Sequence, residues 1–142
     1  MRQICVVIVV LILGVSCKNK SSKNAIEGTW KLIYAETKQG DSIKIKALSN
    51  TDFIKIINGS HFAFINQDYD NFEGFYSGGG TYTLRENRYV ETLSYTSVEI
   101  MRNHEFPFSV SINGDTLIQS GIEDVKEAGI KREITEKYIK ID

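Results

Sequence analysis

The chain has 142 residues, 42% of them hydrophobic and 25% charged, with 17 basic against 18 acidic side chains and a formal net charge of −1. That length is one domain's worth. A near-neutral balance without a basic patch lacks the electrostatic footprint of a nucleic-acid binder.

Met1-Arg2-Gln3 is a short positive stretch, and Ile4 to Leu13 is an unbroken apolar run followed by Gly14-Val15-Ser16-Cys17. This is the layout of a secretory signal with a small-residue cleavage site. The run is shorter than the roughly 20 apolar residues that cross a bilayer. Small residues at Gly14 and Ser16 immediately before Cys17 resemble a bacterial lipobox, although Leu13 lies one residue further back than usual. The resemblance implies cleavage before Cys17, acylation of its thiol and amine, and attachment to the membrane through that residue. Several acyl chains on one residue give stable anchoring. Lys18 differs from the acidic retention signal of inner-membrane lipoproteins, which implies the outer membrane of a bacterial cell envelope. Cys5 leaves with residues 1–16, so the mature chain holds one cysteine and no intrachain disulfide. Removing Arg2 with that segment leaves 16 basic and 18 acidic residues, a net charge of −2. Residues 17–26 read as the lipidated cysteine and a polar tether, and residues 27–142 as the folded domain.

From Glu27 onward, period two dominates. Thr29 to Ala35 is expected as a strand with Trp30, Leu32 and Tyr34 on one face. Asp41 to Lys46 is a short strand or loop edge. Asp52 to Ile57 and Ser60 to Asn66 form a hairpin about Asn58-Gly59, with Phe62 and Phe64 on one face. Gln67 to Gly80 reads as a polar, glycine-rich connection. Thr81 to Leu84 and Arg88 to Tyr95 pair through Glu86-Asn87, and Thr96 to Glu105 has room for one helical turn. Phe106 to Ile112 is the cleanest alternation, and Asn113-Gly114-Asp115 turns it into Thr116 to Ser120. The last strand runs from about Lys131 to Ile141. About eight strands joined mostly by short turns predict an all-β fold, an antiparallel up-and-down barrel.

Chemistry-bearing patterns are sparse. His61 and His104 lack paired ligand spacing, so no metal site is expected. Asp68, Asp70 and Glu73 are out of register for a calcium loop and read as a solvated acidic loop. Gly78-Gly79-Gly80 precedes a strand rather than a helix, which argues against a phosphate cradle and for a flexible rim loop. No nucleophile–base constellation is present, so neither an enzyme nor a cofactor is expected. On Arg88–Tyr95 the larger apolar set, Tyr89, Leu93 and Tyr95, shares its face with Glu91, which places that carboxylate inside or near the barrel mouth. There it either orients a ligand or serves as the structural partner of an interior group, since a lone buried carboxylate is costly.

Gly28-Thr29-Trp30 at the first strand resembles the lipocalin and fatty-acid-binding group of barrels. The later segments GGGTYTL, INGDTLIQSG and E-x-Y-x-K extend the likeness over residues 28–141 to small bacterial lipocalin-like lipoproteins. Tyr138 and Lys140 stand where that family commonly has Trp and Arg. The resemblance implies that Trp30, beside Gly28, plugs the closed end of the barrel, with a basic residue of the last strand, Lys140 or Arg132, across its ring. It also implies a small hydrophobic ligand. The pocket expected from strand alternation is lined by Phe62, Tyr82, Tyr89, Glu91, Tyr95 and Phe108, provided no bulge flips a strand. The alternative is a filled barrel whose loops contact a protein or glycan.

Overall fold

The computed structural model describes residues 24–142. The apolar segment 1–16 and Cys17 lie outside the described residues. The elements in chain order are β1 (Gly28–Gln39), β2 (Ser42–Ile45), β3 (Thr51–Ile57), β4 (His61–Asp68), β5 (Tyr76–Arg85), β6 (Arg88–Thr96), β7 (Glu105–Asn113), β8 (Thr116–Val125) and β9 (Ile130–Lys140). Short 3-10 turns lie at Phe72–Gly74, Glu99–Met101 and Lys126–Ala128. All pairings are antiparallel, and β1 also pairs with β9, so β1 and β3 to β9 close an eight-stranded up-and-down barrel. β2 pairs with the far half of β1, from Glu36 to Gln39, and forms an arm at the mouth. Closure pairs the edges that an open sheet would leave free.

One end of the barrel is stoppered. Trp30 is fully buried and its indole N–H donates to the Ile26 carbonyl at 2.8 Å. The Lys140 ammonium sits 5.1 Å from the Trp30 ring centroid and donates to the Glu27 carbonyl at 2.8 Å. A cation over an indole face is favourable, more so when desolvated. Lys140, and not Arg132, therefore lies across the plug. Gly28 takes φ +146°, and a Cβ there would meet the Lys140 side chain at 2.6 Å. The positive φ favours glycine at this position.

Two bulges correct the expected faces. In β1 the register shifts between Leu32 and Tyr34, so Leu32 points in while Tyr34 turns outward, 5.0 Å beneath the Lys137 ammonium. In β6, Gly80 pairs with Leu93 and Gly79 with Tyr95, with Ser94 as the extra residue. Leu93 stays inside, and Tyr95 emerges on the outer surface at 72% exposure. The three glycines are not a rim loop. They belong to β5 and pair with Phe62, Ala63 and Phe64 of β4. A Cβ on Gly80 would collide with the Thr92 carbonyl, so glycine is what allows β6 to approach at the bulge. The connection expected over Gln67–Gly80 shrinks accordingly, because β4 runs to Asp68 and β5 begins at Tyr76.

Candidate functional site

Hairpins β3–β4, β5–β6 and β7–β8 turn at the Trp30 end, and the longer connections gather at the opposite end. The barrel interior is open between them. An inner cavity of about 240 Å³ has aromatic walls. Phe53 and Phe64 stack at 5.7 Å with a 10° interplanar angle, and Tyr76 leans on both at 6.2 and 6.3 Å. Leu93, Val98, Met101, Phe106, Phe108, Ile134 and Tyr138 complete the apolar lining.

The floor is polar. Lys55 projects inward from β3 between Phe53 and Ile57 and is 2% exposed. Its ammonium forms an ion pair with Glu91, itself 6% exposed, and donates to the Gln119 side-chain oxygen at 2.8 Å. The rings of Tyr89, Phe62 and Tyr138 surround it at 5.3, 5.5 and 5.8 Å. A buried ammonium is tolerated only with such partners, because removal from water is expensive. Beside it, the Tyr138 hydroxyl donates to Glu136 at 2.6 Å. Burial pushes the Glu136 carboxyl above its usual range, opposed in part by Lys55 and by that hydrogen bond. Burial, and secondarily the Glu91 charge, raises the Tyr89 hydroxyl. Tyr138 is raised in the same way, by burial first and Glu136 second. Tyr76 is pushed up to about 12, by burial first and Glu136 second.

Towards the mouth the inner cavity passes into an outer chamber of about 900 Å³. Phe53, Tyr76, Glu123, Arg132, Ile134 and Glu136 line both compartments. Arg132 donates to Glu123 at 2.6 Å across the boundary. The outer wall comes from β1 beyond its bulge, including Ala35 and Thr37, and from the β2 arm with Lys44 and Ile45. The β1 bulge thus turns Ala35 and Thr37 towards the chamber. Among the described residues, no three His, Cys, Asp or Glu side chains gather as a metal-ligating set.

No family model matches the chain, and a search of curated proteins returns no relative. The functional reading therefore rests on the geometry of the interior.

Of the six expected pocket residues, Glu91 and Phe108 line the cavity. Phe62 and Tyr89 face inward but lie below Lys55 in the closed-end core. Tyr82 packs on Tyr89 at 5.1 Å and donates to the Asn58 carbonyl at 2.6 Å, at the stoppered end. Tyr95 is outside. Sequence reasoning left Lys55 and Gln119 out of the pocket and placed no β9 residue in it, weighing Arg132 only as a partner for Trp30. The signal for β9 was present: Arg132, Ile134, Glu136 and Tyr138 recur at period two. For β3, Phe53-Lys55-Ile57 and Asp52-Ile54-Ile56 are equally apolar sets, and alternation alone does not choose between them.

Proposed function

We propose that this protein is a lipid-anchored binding protein of the bacterial cell envelope, with a lipocalin-like barrel that holds a compact, largely apolar molecule and performs no catalysis. The observation that carries the reading is the aromatic-walled interior cavity of about 240 Å³ with a charged, hydrogen-bonded floor. Apolar walls with a few convergent polar groups are the usual recipe for a small-molecule site. A water claims about 30 Å³ of liquid, so the cavity equals roughly eight waters. That suits one ring with a short chain, and any longer portion of a ligand would extend into the outer chamber. The plug of Trp30 under Lys140 supports kinship with the lipocalin group. The tether meets the barrel at its closed end, where Ile26 and Glu27 bind Trp30 and Lys140. An anchor at Cys17 would therefore leave the mouth free.

A thermal-shift screen with small aromatic and short aliphatic compounds tests the binding reading. Saturating ligand is expected to raise the midpoint, since about 100-fold excess over Kd stabilises by ~2.7 kcal/mol. Leu93→Trp, which fills the cavity, should remove the effect. No shift with any compound would return the protein to a scaffold acting through its loops. For the anchor, mass spectrometry of the mature N-terminus should find acylated Cys17, and Cys17→Ala should abolish processing there. An unmodified residue other than Cys17 at that terminus would end the lipoprotein reading.

A further inference from the structure

Five ionisable side chains of opposite sign line the inner cavity: Lys55 and Arg132 against Glu91, Glu123 and Glu136. Each of the two cations already holds a carboxylate partner. Lys55 serves Glu91 and Gln119, and Arg132 serves Glu123. Glu136 receives the Tyr138 hydroxyl, but among the described residues no cation forms an ion pair with it. We propose that the ligand is a compact organic cation, an arylalkyl amine whose ammonium pairs with Glu136 while its ring lies against Phe53, Phe64 and Tyr76. This rests on the binding reading above and names its ligand class.

Three physical arguments converge. A half-buried carboxyl without a paired cation is stabilised by an opposite charge at close range, and a bound ammonium supplies it. The walls that would flank such a cation are aromatic faces, which attract ammonium groups once water is excluded. An anionic ligand would face the reverse situation. In the inner cavity it would meet three carboxyls and two cations that already hold carboxylate partners. A neutral ligand would leave Glu136 as it stands, with its carboxyl held up by burial.

The charged and titratable groups facing Glu136 across the two compartments are Lys44 from β2 and Lys46 just after it, Lys55 from β3, Asp68 from β4, Tyr76 from β5, Glu91 from β6, Glu123 from β8, and Arg132 and Tyr138 from β9. Pairing requires the ionised carboxylate, so amine affinity should rise as pH rises through the Glu136 range. The affinity of a neutral analogue should not.

Calorimetric titration of the full chain in detergent with phenethylamine, phenethyl alcohol and hydrocinnamate decides the matter. These probes share a ring and a two-carbon spacer and differ in charge. At neutral pH the amine should bind at least about tenfold more tightly than either analogue, a difference of ~1.4 kcal/mol. Glu136→Gln, which keeps an oxygen for the Tyr138 hydroxyl, should bring the amine to within about twofold of the alcohol. An alcohol or carboxylate that binds as well as the amine overturns the proposal, as does a Glu136→Gln variant that keeps the preference. Should that variant not fold, the wild-type pH series decides: amine affinity rising from mildly acidic to neutral pH against a flat alcohol supports the pairing, and parallel curves overturn it. If none of the three binds while other compact compounds of the thermal screen do, the cation inference fails and the binding reading stands. If nothing binds at all, both fail.

Discussion

Lys55 is the residue on which the interior turns. It stands in a strand whose two faces are equally apolar, yet its ammonium is buried against Glu91 and Gln119. Lys55→Ala would leave the Glu91 charge uncompensated and should cost ~3–5 kcal/mol in urea unfolding. The double variant Lys55→Met, Glu91→Leu removes both charges and should recover most of that loss. A double variant no better than Lys55→Ala would show that the pair is not coupled. Glu136 makes a different prediction. Its carboxyl is raised in the folded state, so the fold holds the proton more tightly than the unfolded chain does. Stability should therefore fall as pH rises from the ordinary carboxyl value of 4.5 through the folded one. Glu136→Gln should flatten that portion of the profile and be at least as stable as the wild type at neutral pH. Coincident wild-type and variant profiles of denaturation midpoint against pH would make Glu136 an ordinary carboxyl.

At the scale of the element, the two bulges decide which side chains the cavity receives. Period two places Tyr89, Glu91, Leu93 and Tyr95 on one face, and the first three do point inward. Ser94 then adds one residue to β6, and everything beyond it changes sides, so Thr96 replaces Tyr95 at the cavity wall. The glycines of β5 permit this by letting Thr92 approach. Gly80→Ala should destabilise by about 1–3 kcal/mol, as overpacking does, because its Cβ meets backbone that cannot move aside. Gly59→Ala, which meets nothing within 4 Å, should stay within about 0.5 kcal/mol of wild type. Equal effects of the two substitutions in chemical denaturation would mean that the β5–β6 approach is not tight.

At the scale of the molecule, closure of β1 on β9 brings Lys140 over Trp30 and the Arg132–Tyr138 face into the interior. Trp30→Ala removes a fully buried indole and should cost ~3–5 kcal/mol by equilibrium denaturation. A loss under about 1 kcal/mol would mark the plug as peripheral. Much of the architecture was legible in the chain. Alternating segments between Asn-Gly and Asn-Gly-Asp turns establish antiparallel strands in series, because period two and turn chemistry are local properties. Gly28-Thr29-Trp30 pointed to the stoppered end through its resemblance to the lipocalin group, and the structure buries Trp30 there beside Gly28. The placement of Glu91 and Phe108 followed from uninterrupted alternation. What lines the cavity beyond them was decided only by tertiary structure. A bulge is a relation between two strands and leaves little trace in either alone. Lys55 faces inward because Glu91 and Gln119, distant in sequence, are there to receive it. A buried charge is stable only where its partners meet, and that meeting exists only once the barrel has closed.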